Sequence, residues 1–327
     1  MAIAAMTGPT MRAATLRGPR QFSLDEVPVP VPGPGEVLIR LEGCGVCASN
    51  VEPWEGQPWS RWPGEPGGMG HEGWGRIAAL GEGVTGFALG DRVTALAERS
   101  YAEYDRAPAT MVVPLPPALD GRPVPGEPVA CALNILARAD IGPGQTVAII
   151  GIGFLGALLT RLASEAGSRV IAVSRRESSL DLARRMGAAD CIVMDDHGRI
   201  IDAVKGLTAG RLCERVIECA GRQWPLDLAG EIVAEGGRLV IAGYHQDGPR
   251  QVNMQMWNWK GIDIASAHER DPGVRMAGLR AAVEAMASGR LDIAPLLGPP
   301  YPLERLGEAL AATRDKPDGF VKAWVAP

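Results

Sequence analysis

The stretch "TVAIIGIGFLGALLTRLASEAGSRVIAVSRR", residues 146–176, constrains the fold of this chain more than any other. A short apolar run ends at glycine, a helical apolar pattern follows, and a second β-branched run closes the segment. Strand, helix and strand within about 30 residues form a βαβ unit, whose strands lie parallel and are covered on both faces. Between the first strand and the helix stand Gly151, Gly153 and Gly156. Their spacing gives one glycine for a tight turn, one for close approach of a pyrophosphate, and one for packing helix on strand. In that setting the loop Gly151, Gly153, Phe154, Leu155 and Gly156 reads as a dinucleotide site. The plainer alternative is a βα turn that binds nothing.

The end of the second strand separates the two nicotinamide cofactors. An NAD site usually has Asp or Glu there, accepting hydrogen bonds from the ribose hydroxyls. This chain has Ser174, Arg175 and Arg176. A hydroxyl and two guanidinium groups suit a 2'-phosphate, and no carboxylate is present to repel it. NADP(H) is therefore expected over NAD(H). A pair of arginines at a strand end also occurs as an ordinary solvated edge.

The texture of the chain changes twice. Up to about residue 125, Pro- and Gly-punctuated runs such as "EVLIRLEGCGV" and "GDRVTAL" read as short strands joined by turns. From about 127, strands alternate with helices through "GRLVIAG" and "GIDIASA", both taken as apolar edge strands of a parallel sheet. After about 270 come helical "VRMAGLRAAVEAMASG" and "LERLGEALAATR" and a terminal strand "GFVKAWV". That tail is too short for a domain and is expected to rejoin the first part. With 46% hydrophobic residues the chain has enough apolar material for two cores. Six cysteines, no leader pattern and no apolar run of about 18 residues point to a protein of a reducing compartment, read as cytoplasmic and off the membrane. The net charge of -5 is spread over interspersed residues of both signs, which leaves no basic stripe for nucleic acid.

"CGVCASN", residues 44–50, offers a redox couple, half of a metal site, or two buried thiols. "GHEGWG" adds His71 and Glu72, and "GEPVACAL" adds Glu127. Together with "GRIAALGEGVTGFALGDRV", the Gly151 loop, "VIECAG" at 216–221 and "PLERLGEAL", these residues make the chain resemble the zinc-type medium-chain alcohol and polyol dehydrogenases over nearly its whole length. The resemblance implies an α/β fold: a GroES-like, β-rich catalytic domain from residues 1–127 and 270–327, and a Rossmann domain over 128–269. A cleft holding zinc and nicotinamide is part of the same expectation. It also implies that Cys47 and His71 ligate zinc, that Glu127 stands at the third-ligand position, and that Glu72 supports or exchanges with it. One thiolate, one imidazole and one carboxylate leave tetrahedral zinc an open position for substrate. Cys44 and Cys131 then pack as small apolar groups, and Ala220 of "VIECAG" borders the cofactor.

The chain departs from that family in three places. "TALAERSYAEY" lacks the four cysteines of a second, structural zinc, so one zinc is expected. Asn50 replaces the aspartate that commonly orients the histidine ligand, and Glu52 replaces the histidine that ends the proton relay. The expected reaction is hydride transfer between NADP(H) and a small-molecule alcohol or carbonyl compound, with Ser49 passing the hydroxyl proton toward Glu52 or water. A zinc-free quinone or enoyl reductase on the same fold is the enzymatic alternative; retention of Cys47, His71 and Glu127 speaks against it. A nucleotide-binding redox sensor using Cys44 and Cys47 is the non-catalytic one, although such pairs usually open a helix in a thioredoxin-like unit. Trp54, Trp59 and Trp62, between the metal residues, either border a substrate site or pack a loop. A homodimer or homotetramer is expected.

Overall fold

The computed structural model describes residues 8–327. The chain divides into two compact units: residues up to Pro128 together with Leu279–Pro327, and Val129–Gly278.

The first unit is mostly β. Strands β1 (Thr10–Gly18) and β2 (Gln21–Pro28) pair as an antiparallel hairpin. The main sheet contains β3 (Glu36–Gly45), β4 (Gly73–Leu80), β5 (Arg92–Ala95), β6 (Tyr104–Pro108), β7 (Val112–Pro114), β14 (Tyr301–Pro302) and β15 (Trp324–Ala326). Its order is β14-β15-β3-β4-β5-β7, with β6 also paired to β3. The register between β3 and β4 shifts at Leu41/Gly43. Gly43 is required there, because a Cβ would stand 2.3 Å from the Trp74 ring. Trp324 and Val325 pair antiparallel with Gly45 and Cys44, which brings β15 beside the stretch that leads to Cys47. Cys44, Val46, Tyr101, Leu310 and Val325 share one buried cluster, so both parts of the chain build the same core.

The second unit is a six-stranded parallel sheet of order β10-β9-β8-β11-β12-β13. Its strands are β8 (Thr146–Ile150), β9 (Arg169–Ser174), β10 (Asp190–Val193), β11 (Cys213–Glu218), β12 (Val233–Ile241) and β13 (Asp263–Ser266). Helix α3 (Phe154–Glu165) leads from β8 to β9 and α4 (Glu177–Arg185) from β9 to β10. Val147, Ala148, Ile149 and Ile150 are wholly inaccessible, as expected of a central parallel strand. The edge assignment for "GRLVIAG" is corrected: β12 lies inside the sheet, between β11 and β13. Leu239 and Val240 are fully buried, so this apolar run marks an interior strand. The edge is β13, which is shorter and exposes Ile264. The strand order reverses between β8 and β11. Among the described residues no helix is long and apolar enough to cross a membrane.

Candidate metal and dinucleotide sites

β3 ends at Gly45, and Cys47 follows in extended backbone just before a tight turn at Ala48–Asn50. Helix α1 (Val51–Glu55) carries the chain away, and His71 and Glu72 return immediately ahead of β4. The donor atoms of Cys47, His71 and Glu72 all lie within 4.8 Å of one another. His71 Nδ1 is 2.9 Å from the Met69 carbonyl. A carbonyl only accepts, so Nδ1 carries a proton and Nε2 is the nitrogen left to face a metal, which would displace any proton there. Burial lowers the His71 pKa, but the Cys47 thiol and the Glu127 and Glu72 carboxylates outweigh it and bring it up to about 10. The field around the ring therefore favours a cation.

Asn50 acts one bond further away than the sequence implies. Its Nδ2 donates to the Met69 carbonyl at 2.6 Å and to the Tyr101 hydroxyl at 3.0 Å, while its Oδ1 accepts from Ser49 Oγ at 3.3 Å. It steadies the carbonyl that orients His71, not the ring. Met69 itself has a left-handed φ of 72°, which aims that carbonyl. Tyr101, fully buried, comes from the short segment that lacks the cysteine lobe. There the buried Asp105 accepts the Arg99 N–H at 2.9 Å and the Ser100 hydroxyl at 2.8 Å, closing the turn. Ser49 Oγ also lies 3.2 Å from Cys47 Sγ, and Glu52, buried, accepts from Gln57 at 2.5 Å.

Glu72 is completely inaccessible, and its oxygens lie 2.8 and 2.7 Å from Lys322 Nζ. Burial lowers the Lys322 pKa, yet Glu72, Cys47 and Glu127 raise it more, and the ammonium stays charged. A Cβ on Gly45 would stand 1.9 Å from Glu72 Oε2, so only glycine fits beside this pair. Sequence reasoning missed Lys322; a lone lysine within apolar "GFVKAWV" was the available signal. Glu127, in the first turn of α2 (Gly126–Ala139), acts on the charges of His71 and Lys322 but is not one of the three groups clustered within 4.8 Å. Cys44 is buried in the apolar cluster, its thiol pushed well up by burial, and no disulfide joins any of the six cysteines. Trp54 packs inward under Arg20 and Arg314, whereas Trp59 and Trp62 are 51% and 38% exposed.

In the second unit the three glycines have distinct surroundings. Gly151 has φ 95°, and a Cβ there would lie 3.0 Å from the Ala220 nitrogen. A Cβ on Gly156 would meet the Gly151 carbonyl oxygen at 2.1 Å. Gly153 faces open space, as a site for a pyrophosphate requires. Phe154 and Leu155 begin α3, Ser174 is buried at the end of β9, Arg175 is exposed and Arg176 half-buried ahead of α4.

Fold and sites together define a two-unit dehydrogenase, and comparison with known proteins makes the class specific. An alcohol dehydrogenase GroES-like domain model matches residues 33–117, and a zinc-binding dehydrogenase model matches residues 154–285. An alcohol dehydrogenase of Moraxella sp. (strain TAE123) is 34% identical, over 71% of this chain and 77% of its own. The sorbitol dehydrogenase of Bacillus subtilis (strain 168) is 26% identical, over 97% of each. A Sinorhizobium meliloti 1021 protein assigned as a zinc-binding dehydrogenase, solved bound to NADP, superposes with a TM-score of 0.84 at 25% identity, covering 98% of this chain and 100% of that one. The chain belongs to the zinc-type medium-chain dehydrogenase family and is an oxidoreductase of the alcohol dehydrogenase type.

The ion pair gives a direct test of the site's architecture. Lys322→Met leaves the Glu72 carboxylate buried without its counter-charge and should lower unfolding free energy by roughly 3–5 kcal/mol. Adding Glu72→Gln should recover part of the loss, as read from urea unfolding midpoints. An unchanged midpoint in the single variant would show that the pair is immaterial.

Proposed function

We propose that this protein is an NADP(H)-dependent zinc enzyme that interconverts a small alcohol, or polyol, and its carbonyl partner. The observation that carries the reading is the clustering of Cys47, His71 and Glu72 donor atoms within 4.8 Å. Thiolate, imidazole and carboxylate are a donor set suited to catalytic zinc, and the hydrogen bond to Met69 leaves His71 in the right tautomer. One zinc would be held by Cys47 and His71, with Glu127 and Glu72 as acidic partners. When bound, zinc would supply a Lewis acid for the substrate oxygen, and the nicotinamide would donate or accept the hydride. Ser49, whose hydroxyl stands beside Cys47, takes the substrate hydroxyl proton and passes it toward Glu52 or water. Trp59 and Trp62, being exposed on the loop between the metal residues, suit a flat or partly apolar substrate. Six cysteines without a disulfide agree with a reducing, cytoplasmic setting.

Elemental analysis should find one zinc per chain. Cys47→Ala should lose both the metal and the turnover detected in a screen of alcohols, polyols and ketones by nicotinamide absorbance, whereas Cys44→Ala should keep both. Two zincs per chain, or metal lost at Cys44 and kept at Cys47, would sink the assignment.

NADPH should bind more tightly than NADH, supported by Ser174, Arg175 and Arg176 at the end of β9. Arg175→Asp should weaken NADPH roughly 10- to 100-fold, the effect of losing a charge-assisted contact of about 1.5–3 kcal/mol. Equal wild-type affinity for both cofactors, measured by fluorescence titration, would refute the preference.

We also propose a homodimer as the smallest assembly, or a homotetramer built from it. The β13 edge exposes Ile264, and nearby in sequence Trp259 is 86% exposed, a combination that calls for a cover. Light scattering at micromolar concentration should give at least twice the chain mass; a monomer would contradict it.

A further inference from the structure

The carboxyl ends of β11 and β12 carry a chain of charged groups that neither the metal chemistry nor the glycine loop employs. Glu218, the last residue of β11, is completely buried. Its Oε1 accepts the N–H groups of Ala220 and Gly221 at 2.7 and 2.8 Å, and its Oε2 lies 3.0 Å from His245 Nε2. The other ring nitrogen, Nδ1, lies 2.8 Å from Nε of Arg250. A guanidinium only donates and a carboxylate only accepts, so the two partners assign the tautomer: Nε2–H faces Glu218 and the Nδ1 lone pair faces Arg250. Arg250 continues the chain, donating from Nη2 to the Gly221 carbonyl at 3.0 Å and pairing with Asp247, which also holds Arg222. The loop leaving β12 is thus tied to the loop leaving β11 through side chains and backbone alike.

Steric contacts carry the tie onward to the glycine turn. A Cβ on Gly243 would stand 2.3 Å from the Gly221 nitrogen and 2.7 Å from Glu218 Oε2. The Ala220 nitrogen is the nearest neighbour of a Cβ built on Gly151, at 3.0 Å. The exit loops of β8, β11 and β12 are therefore in mutual contact. A dinucleotide lies across the point where strand order reverses, here between β8 and β11. Its adenosine half then falls toward Ser174 at the end of β9, and its nicotinamide half toward the ends of β11 and β12.

We propose that Glu218, His245 and Arg250 act as one positioning device, which holds the β11 and β12 exit loops as the wall that receives the nicotinamide half of the cofactor. The inference rests on the dinucleotide reading above. His245 is a positioning residue: both of its nitrogens are engaged, so its influence passes through the backbone it fixes. Removing it would leave the buried Glu218 Oε2 without its donor and Arg250 Nε without its acceptor, and the two loops would lose the tie through Glu218 while keeping Arg222–Asp247 and Arg250–Gly221.

The test is equilibrium binding of two probes by the full-length protein. NADPH, followed by its nicotinamide fluorescence, reports the whole cofactor; 2',5'-ADP, followed by calorimetry, reports the adenosine half alone. NADH and 5'-AMP form the parallel pair. His245→Leu should weaken NADPH roughly tenfold while leaving 2',5'-ADP at the wild-type value. His245→Gln keeps one donor and one acceptor and should restore most of the NADPH affinity. Arg250→Gln breaks the chain from its other end and should follow His245→Leu. Unchanged NADPH affinity in the Leu and Arg250→Gln variants, equal loss of both probes, or a Gln variant no better than Leu would overturn the proposal. A wild type that binds neither NADPH nor NADH would instead overturn the dinucleotide reading, and the inference with it.

Discussion

A buried ammonium against a buried carboxylate, Lys322 facing Glu72, is the contact on which the cluster of Cys47, His71 and Glu72 depends. Each charge alone would cost several kcal/mol to strip of water, and only their mutual attraction with good hydrogen-bond geometry offsets that. Because Glu72 adjoins His71, fixing the carboxylate also fixes the backbone that presents the imidazole. Because Lys322 precedes β15, the closing strand must dock in a single register on β3 for the pair to form. Gly45 completes the arrangement by leaving no side chain where the Glu72 oxygen needs to be.

Around that pair the candidate ligands are supported by backbone as much as by side chains. His71 is oriented by the Met69 carbonyl, which Asn50 steadies and Tyr101 steadies in turn. Tyr101 reaches this position because its segment is short and closed by Asp105. The absence of four cysteines here is thus coupled to the surroundings of His71: the compact turn delivers the buried Tyr101 hydroxyl to Asn50. Asn50 departs from aspartate without leaving His71 unsupported, because a neutral amide can donate to a carbonyl where a carboxylate could not.

Much of this was legible in the sequence, and the limits have physical causes. The strand, turn and helix around the Gly151 loop were readable because they are contiguous in the chain. Cys47 and His71 were readable as candidates through the family resemblance. β12 was misread as an edge because an apolar run reports burial but not which strands supply it. Lys322 and Tyr101 come from sequence positions far from the residues they serve, and long-range pairing leaves no local pattern. Glu218 and His245 were unreadable for the same reason, although Glu218 lies inside "VIECAG", one of the stretches that carry the family resemblance.

The pairing of β15 with β3 also orders events during synthesis. Residues 129–278 contain a whole parallel sheet and leave the ribosome before the chain reaches Lys322. That unit has all its strands in hand and is free to fold as it emerges, as domains generally do. The β-rich unit does not: until Lys322 and β15 are translated, β3 lacks its outer neighbour and Glu72 lacks its counter-charge. The Glu72–Lys322 pair therefore forms only after the parallel sheet of residues 129–278 has been made in full.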